Sequence, residues 1–563
     1  METTNSMNTD NLEAQATDAE QLIDRLIDET VFELSDDGAR WEFLSWILDL
    51  SEQEFKNGLE ASKSNNPSLA ILWELFQRIG VCTVILENNY VDRVYRDSYY
   101  FYYSGKHFNF SRFCKRLTIF EGTLTNSFFE LSAEELESIF VGTTVIRPIP
   151  DISIGRTLLN PFYFVNKDAY HIRLGDYNVS VYGKILHVKA FPYSMQDGET
   201  TSCAEITIIN LLDYYSQMYP EYHYLLPSDI YTLAEKDSYE RRLPTTGLSY
   251  ELISKIFCDA GFFPRLYSYS KMPNNKFRHI LQYYIESGVP AALGLTKGEG
   301  NKHSVICIGR SNYDKDMIYE NLYGVGTGDN LLWVCDVADT VKEYCLMDDN
   351  KAPYTLSPCV EQKRHYENRT VSALTLNECD MEYILVPLYK RMILEAADAY
   401  DICMSILSDK SHGIKYCTNN DLLSSEIKAI IHTGGSQKSP FVVRLYLASS
   451  RTFRQNRDMV FRDGNLEVND WYNYVIFPKF IWVCEISTPD LFKEDLVLGE
   501  IVIDATSSSN VGSDSAIIIH YPNVINIRMP DDSQQEETSK FVALKNWQPF
   551  NSFDSNLDSA SNI

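Results

Sequence analysis

Hydrophobic positions divide the chain before any single residue does. Residues 1–20 are polar and acidic, and with 531–563 they are rich in Ser, Asn, Asp, Glu and Gln, a composition that predicts disorder. Within the tail, FVALKNW (541–547) is apolar enough to dock locally. Residues 21–75 read as helices, with WEFLSWIL (41–48) as an example of apolar side chains at helical spacing. From about residue 81 the pattern changes. VCTVILE (81–87) and DSYYFYYS (97–104) favour strands through their β-branched and aromatic content. LSAEELESIF (131–140) predicts a helix, with Ser132 and Glu135 at capping-box spacing. In VGTTVIRPIPDISIGRTLL (141–159), Pro148 and Pro150 confine the segment to an edge or a loop. The expected organisation is an N-terminal α+β domain over 21–185, without a catalytic constellation. Beyond residue 392, a helix over 393–408 precedes three strand-like runs: FVVRLYLA (441–448), YVIFPKFIWVCEI (474–486) and VLGEIVIDAT (497–506). They predict a β-rich C-terminal domain over 393–530.

The segment between them, 186–392, carries chemistry. In QDGETTSCAEITIINLLDYYS (196–216), Ser202 and Glu205 form a capping box, so a helix starts there with Cys203 at its first position. Ile208, Leu211, Leu212 and Tyr215 then give that helix one buried face. A thiol at a helix N-terminus meets the positive end of the macrodipole and free backbone N–H groups, which favour the reactive thiolate. Acyl chemistry also needs donors for an oxyanion. The Cys203 N–H is one candidate, and the side-chain amide of Gln196, seven residues upstream, is the other.

A nucleophilic cysteine needs an imidazole in reach. His303 is the candidate, because VPAALGL reads as a buried strand, TKGEGNK as a Gly-rich turn and HSVICIG as a second strand that begins with this histidine. The imidazole in turn needs a group to fix its tautomer. In VKEYCLMDDNKAPY (341–354) an apolar strand ends at Asp348, followed by Asp349, Asn350 and a Pro-containing turn. Asp348 is the first choice, Asp349 the near alternative, and Asp336, at the end of LLWVCD, the rival if that segment is the neighbouring strand.

Composition narrows the reading further. The twelve cysteines form no CxxC pair, which argues against a zinc site and against a disulfide framework. Ten dispersed histidines suggest no metal cluster, and the chemistry above calls for no metal and no cofactor. With 50 Lys plus Arg against 78 Asp plus Glu, the net charge of −28 is expected to repel nucleic acid and anionic lipid. No stretch has the roughly 18 apolar residues of a membrane span, and the start lacks the pattern of a secretory signal. The expectation is a cytoplasmic protein.

The order of Gln196, Cys203 at a helix start, a GVP strand, His303 opening HSVICIG, and an Asp after the next strand resembles the papain-like cysteine peptidases. The branch most similar contains the double-glycine leader peptidases of bacteriocin exporters, and the longer pattern resembles large bacterial proteins that carry such a domain. The resemblance covers about 200 of the 563 residues. It implies a fold with a helix carrying the cysteine and an antiparallel sheet carrying His and Asp. It also implies a Cys-His-Asp triad with a Gln donor, acting on a peptide or protein. The chain departs from exporters in having no membrane spans and no Gly-x-x-x-x-Gly-Lys-Ser/Thr loop. Two alternatives share the constellation: an acyltransferase of transglutaminase-like type, and a catalytically inactive interaction scaffold.

Overall fold

Capping residues and apolar faces set the helices of the N-terminal third. In the computed structural model, which describes residues 30–124, 128–151, 153–166, 168–236, 242–272, 274–298, 301–366, 369–376, 378–418, 425–433, 435–462, 464–528, 541–545 and 547–558, Asp36 caps α1 (Asp37–Ile47) and Asn66 caps α2 (Pro67–Ile79). The acidic start, 1–20, lies outside the described residues. Helix α2 buries Leu69, Leu72, Leu75 and Phe76 in full. An antiparallel sheet runs in the order β1 (Val31–Leu34), β2 (Cys82–Tyr90), β3 (Cys114–Glu121), β4 (Phe140–Ile146), β5 (Ile154–Leu159).

Two local expectations are corrected here. The aromatic run 97–104 is not a strand. It lies in α3 (Arg93–Phe101) and the short turn after it, because the Asp92 carboxylate accepts the Tyr95 N–H at 2.8 Å and starts a helix. Residues 141–159 do form strands, with Pro148 and Pro150 in the connection between them. Strand β4 is paired on both sides and buried along its length, and of the two strands only β5 takes an edge of the sheet.

The protein is mixed α+β, with several sheets, and divides into two compact units. The first comprises 1–166, 174–248 and 347–355, and the second 167–173, 249–346 and 356–563. The expected boundaries at 186, 393 and 531 are not where the units part. Helix α4 (Cys203–Met218) belongs to the first unit, where Arg156 grips its Asp213 with two bonds of 2.6 and 3.1 Å and Phe191 stacks on its Tyr214. Residues 204–215 are all buried, so α4 is enclosed on every side and not on the one face expected from its apolar spacing.

The second unit holds a closed antiparallel ring. Its six strands are β6 (Ala291–Lys297), β7 (Asn301–Ser311), β8 (Glu343–Met347), β9 (Thr355–Tyr366), β10 (Arg369–Leu376) and β11 (Cys379–Val386), and β11 pairs back onto β6. A second sheet contains Leu332–Asp336, β12 (Phe441–Ser449), β13 (Phe480–Ser487), β14 (Gly499–Asp504), β15 (Ala516–Tyr521) and β16 (Val524–Ile527). One continuous core joins the ring residues Leu293, Val305 and Ile384 to Leu445, Trp482 and Ile501 of this sheet. The strands expected over 393–530 therefore exist, but they share a core with the ring.

Part of the tail is folded as well. Over 541–558, Val542–Ala543 pairs with β16 and Phe550–Asn551 with Leu496–Val497. Leu544, Phe550 and Phe553 are buried. The apolar residues of the tail repay its ordering, and burial overrides its polar composition. No described helix is long and apolar enough to cross a membrane.

Candidate functional site

Each backbone N–H of residues 197–202 is engaged before the chain enters α4. Asp197 N–H reaches both the carbonyl and the hydroxyl of Thr201, and Gly198 N–H reaches the Thr201 carbonyl at 2.9 Å. The Asp197 Oδ1 then accepts three N–H groups at once: Glu199 at 2.9 Å, Thr200 at 2.7 Å and Thr201 at 2.7 Å. The Ser202 N–H goes to the Glu205 carboxylate at 3.0 Å, which completes the expected capping box. Inside the helix, the Ala204 N–H turns back to the Ser202 hydroxyl at 3.3 Å. Cys203 sits at the first helical position, as expected, and its N–H finds no acceptor among the described residues. The first N–H groups of any α-helix have no intrahelical acceptor, and at this one the capping loop supplies none.

Neighbouring segments of the first unit hold the loop in place. Tyr102 donates its hydroxyl to Glu199, and Lys106 reaches the same carboxylate at 3.2 Å. Thr245 binds twice, through its N–H to the Glu199 carbonyl at 2.8 Å and through its hydroxyl to Glu205 at 2.7 Å. Gly247, at φ +79°, comes close to the helix cap, and a Cβ there would lie 3.7 Å from the Ser202 hydroxyl.

Gln196 is half-buried beside the cap, and its Nε2 lies 3.5 Å from Asn350 Oδ1, at the long limit of a hydrogen bond. The 348–354 turn is anchored within the same unit. Tyr193 donates to the Lys351 carbonyl at 2.8 Å, while the Tyr354 hydroxyl donates to the Leu159 carbonyl at 2.7 Å and accepts the Phe191 N–H at 3.0 Å. Asp348 and Asp349 are buried, and Asp348 Oδ1 accepts the Asn350 N–H at 3.1 Å. The fold therefore brings Cys203, Gln196, Asp348 and Asp349 into one unit.

His303 belongs to the other unit, as the third residue of β7 and not the first. It is half-buried and opposite Leu295 of β6. The Tyr250 hydroxyl pins this end of the hairpin, donating to the Leu293 carbonyl at 3.1 Å and the His303 carbonyl at 3.4 Å. Gly294 permits that approach, since a Cβ there would fall 2.5 Å from the Tyr250 ring. Strand β8 neighbours β7 and runs antiparallel to it, with Tyr313 bridged to Val341 and the Glu343 N–H bonded to the Ser311 hydroxyl at 3.3 Å. Strand β8 therefore runs toward the end of β7 that carries His303.

Asp336, the rival acid, has a different employment. It is fully buried at the end of Leu332–Asp336, in the second sheet and not in the ring. Its Oδ1 accepts the Ala338 N–H at 2.9 Å, and Tyr283 donates to its Oδ2. His279 Nδ1 lies 3.7 Å from that oxygen, and its Nε2 lies 2.7 Å from Asp339. Asp336 would stand beside His303 only if its strand neighboured β7; the sheet in which its strand pairs commits it to His279 and Tyr283 instead.

Of the described cysteines, Cys203 is half-buried, Cys258 exposed and the others buried. Burial pushes the Cys82 and Cys335 thiols up to about 12 and Cys359 to about 11. Cys258 is also raised, by partial burial and by Asp259.

Sequence reasoning passed over Asp197 and Thr245. The Asp-Gly pair at 197–198 was a legible turn signal, whereas nothing in the sequence tied Thr245 to Glu205. No protein-family model and no curated protein matches this sequence.

Proposed function

We propose that the protein is a cysteine peptidase of papain-like type, a thiol hydrolase of peptide or amide bonds. The observation that carries this reading is the Cys203 N–H, which has no acceptor among the described residues at the first position of α4 while its neighbours on both sides are engaged. A half-buried thiol on the same residue completes a nucleophile with its own oxyanion donor.

In this reading His303 takes the proton of the Cys203 thiol, and the sulfur attacks the carbonyl carbon of a peptide substrate. The C=O electron pair moves to oxygen, where the Cys203 N–H and the Gln196 amide receive it. Collapse of this intermediate breaks the C–N bond, and His303, protonated, gives its proton to the leaving amine. Water then attacks the thioester and loses a proton to His303, and the thiol and a carboxylic acid are released. Asp348 orients the imidazole. The direction of β8 toward the His303 end of β7 supports that role, because Asp348 is the residue after β8. No cofactor enters the scheme, and the substrate proposed is a peptide or protein in the cytoplasm.

The test is alkylation by iodoacetamide near pH 6, with every cysteine followed by peptide mass mapping. Cys203 is expected to label first and Cys258 well behind it, since Cys258 is exposed but its thiol is held protonated. His303→Ala should slow Cys203 labelling without changing the rest of the pattern. Labelling led by Cys258 would remove the nucleophile assignment. Capture of the acyl group by an added amine in place of water would move the enzyme to the acyltransferases.

A further inference from the structure

Asp197 is buried and its carboxylate holds most of the loop before Cys203. One oxygen, Oδ1, takes three consecutive N–H groups, and Oδ2 receives the Thr200 hydroxyl. Its own N–H is tied to Thr201. Glu205 does the same for Ser202 from inside the helix, while its other oxygen is held by Thr245. The outcome is selective: along 197–204, Cys203 alone has an N–H for which no acceptor is found among the described residues.

We propose that Asp197 is a positioning residue, which fixes the loop so that a single backbone N–H, that of Cys203, is offered to the developing oxyanion. The proposal rests on Cys203 being the nucleophile and deepens that reading. Preorganised donors stabilise a transition state because they pay no reorganisation cost when charge develops. Without the Asp197 carboxylate, three N–H groups are released two to four residues before the cysteine. The loop then samples conformations in which the Cys203 N–H is misaligned or competes with its neighbours. The effect is specific to steps that build an oxyanion. Alkylation of the sulfur builds none, because the sulfur displaces iodide from a saturated carbon.

The experiment compares two reactions of the full chain. In acylation by p-nitrophenyl acetate, the sulfur attacks the ester carbonyl and the C–O bond breaks. p-Nitrophenolate leaves with the electron pair, and a thioester remains on Cys203. In alkylation by iodoacetamide the same sulfur reacts without an oxyanion. Asp197→Ala is expected to slow acylation by about tenfold to a hundredfold, the order of losing one oxyanion donor. Alkylation of Cys203 should stay within about threefold, because it depends on thiolate and access only. Asp197→Asn, which keeps the Oδ1 acceptor, should restore most of the lost rate. If Asp197→Ala does not fold, Glu205→Ala carries the same comparison with the same selective slowing expected. Equal slowing of both reactions, or unchanged acylation in a folded variant, overturns the positioning role. A wild-type chain with no acylation that depends on Cys203 overturns the nucleophile reading itself, and the positioning role with it. That result is seen before any Asp197 variant is made.

Discussion

At the scale of single residues, the two carboxylates weighed for the orienting role have separable consequences. Asp348 follows β8 and is held in a turn by the Asn350 N–H. In the proposed orienting role it would fix a tautomer and stabilise an imidazolium, so Asp348→Asn should lower turnover of a peptide substrate by about tenfold or more, with the melting temperature little changed. Asp336 is a buried acceptor for Tyr283 and the Ala338 N–H, beside His279. Asp336→Asn should instead cost about 1–3 kcal/mol of stability by leaving buried groups poorly paired, while Cys203 labelling proceeds as before. Denaturant unfolding and iodoacetamide labelling of the two variants separate these outcomes. The capping box at Ser202 was legible because its chemistry is local, three residues apart. The employment of Asp336 was not, because Tyr283 lies 53 residues away in sequence.

At the scale of elements, side chains join pieces that chain order keeps apart. Helix α5 (Asn274–Glu286) is fastened to the 337–340 turn by His279, which stands between Asp336 and Asp339 with Arg278 beside it. Burial pushes this imidazole down, but the two carboxylates outweigh burial and raise its pKa above the ordinary 6.5. A group whose folded pKa is raised stabilises the fold fully below its unfolded pKa. That contribution is lost as pH rises through the folded value. His279→Gln should therefore destabilise the protein most at pH below about 6.5, by about 1 kcal/mol, and the gap from wild type should close toward alkaline pH. Thermal melts across that range check the sign. The C-terminal segment is the second fastening. Phe553 stacks on Tyr446 with rings 5.0 Å apart, donates its N–H to Glu485 at 2.8 Å, and gives its carbonyl to Arg444. Phe553→Ala should cost about 3–5 kcal/mol, the usual penalty for emptying a buried aromatic site. A small loss in equilibrium unfolding would mean that the tail is not part of the core.

At the scale of the whole molecule, the segment that carries the candidate chemistry is divided between the two compact units. Helix α4 belongs to the first unit, where its Asp213 is held by Arg156. The ring shares its core with Leu445, Trp482 and Ile501 from beyond residue 393. A fragment of residues 186–392 would expose both sets of contacts. It is expected to show no cooperative thermal transition and no sharp near-ultraviolet dichroism, whereas the full chain shows both. A fragment with a cooperative melt would restore the boundaries expected from sequence.

Local chemistry was open to reading from the chain alone. Ser202 and Glu205 start a helix, the apolar runs at 291–297 and 441–449 are strands, and Cys203 is therefore the first residue of a helix. These follow from forces between residues a few positions apart, which the order of residues encodes directly. The aromatic run at 97–104 departs from its strand preference because that preference is weak and Asp92, a single cap, is enough to reverse it. Which cores the strands share, why the tail folds, and which carboxylate serves which histidine depend on pairings across tens or hundreds of residues. Burial decides those pairings, since it rewards whatever surfaces meet and leaves no periodic trace in the chain. The loop before Cys203 lies between the two cases. Its turn is written in Asp197 and Gly198, but the clamp through Tyr102, Lys106 and Thr245 exists only once distant segments have packed around it.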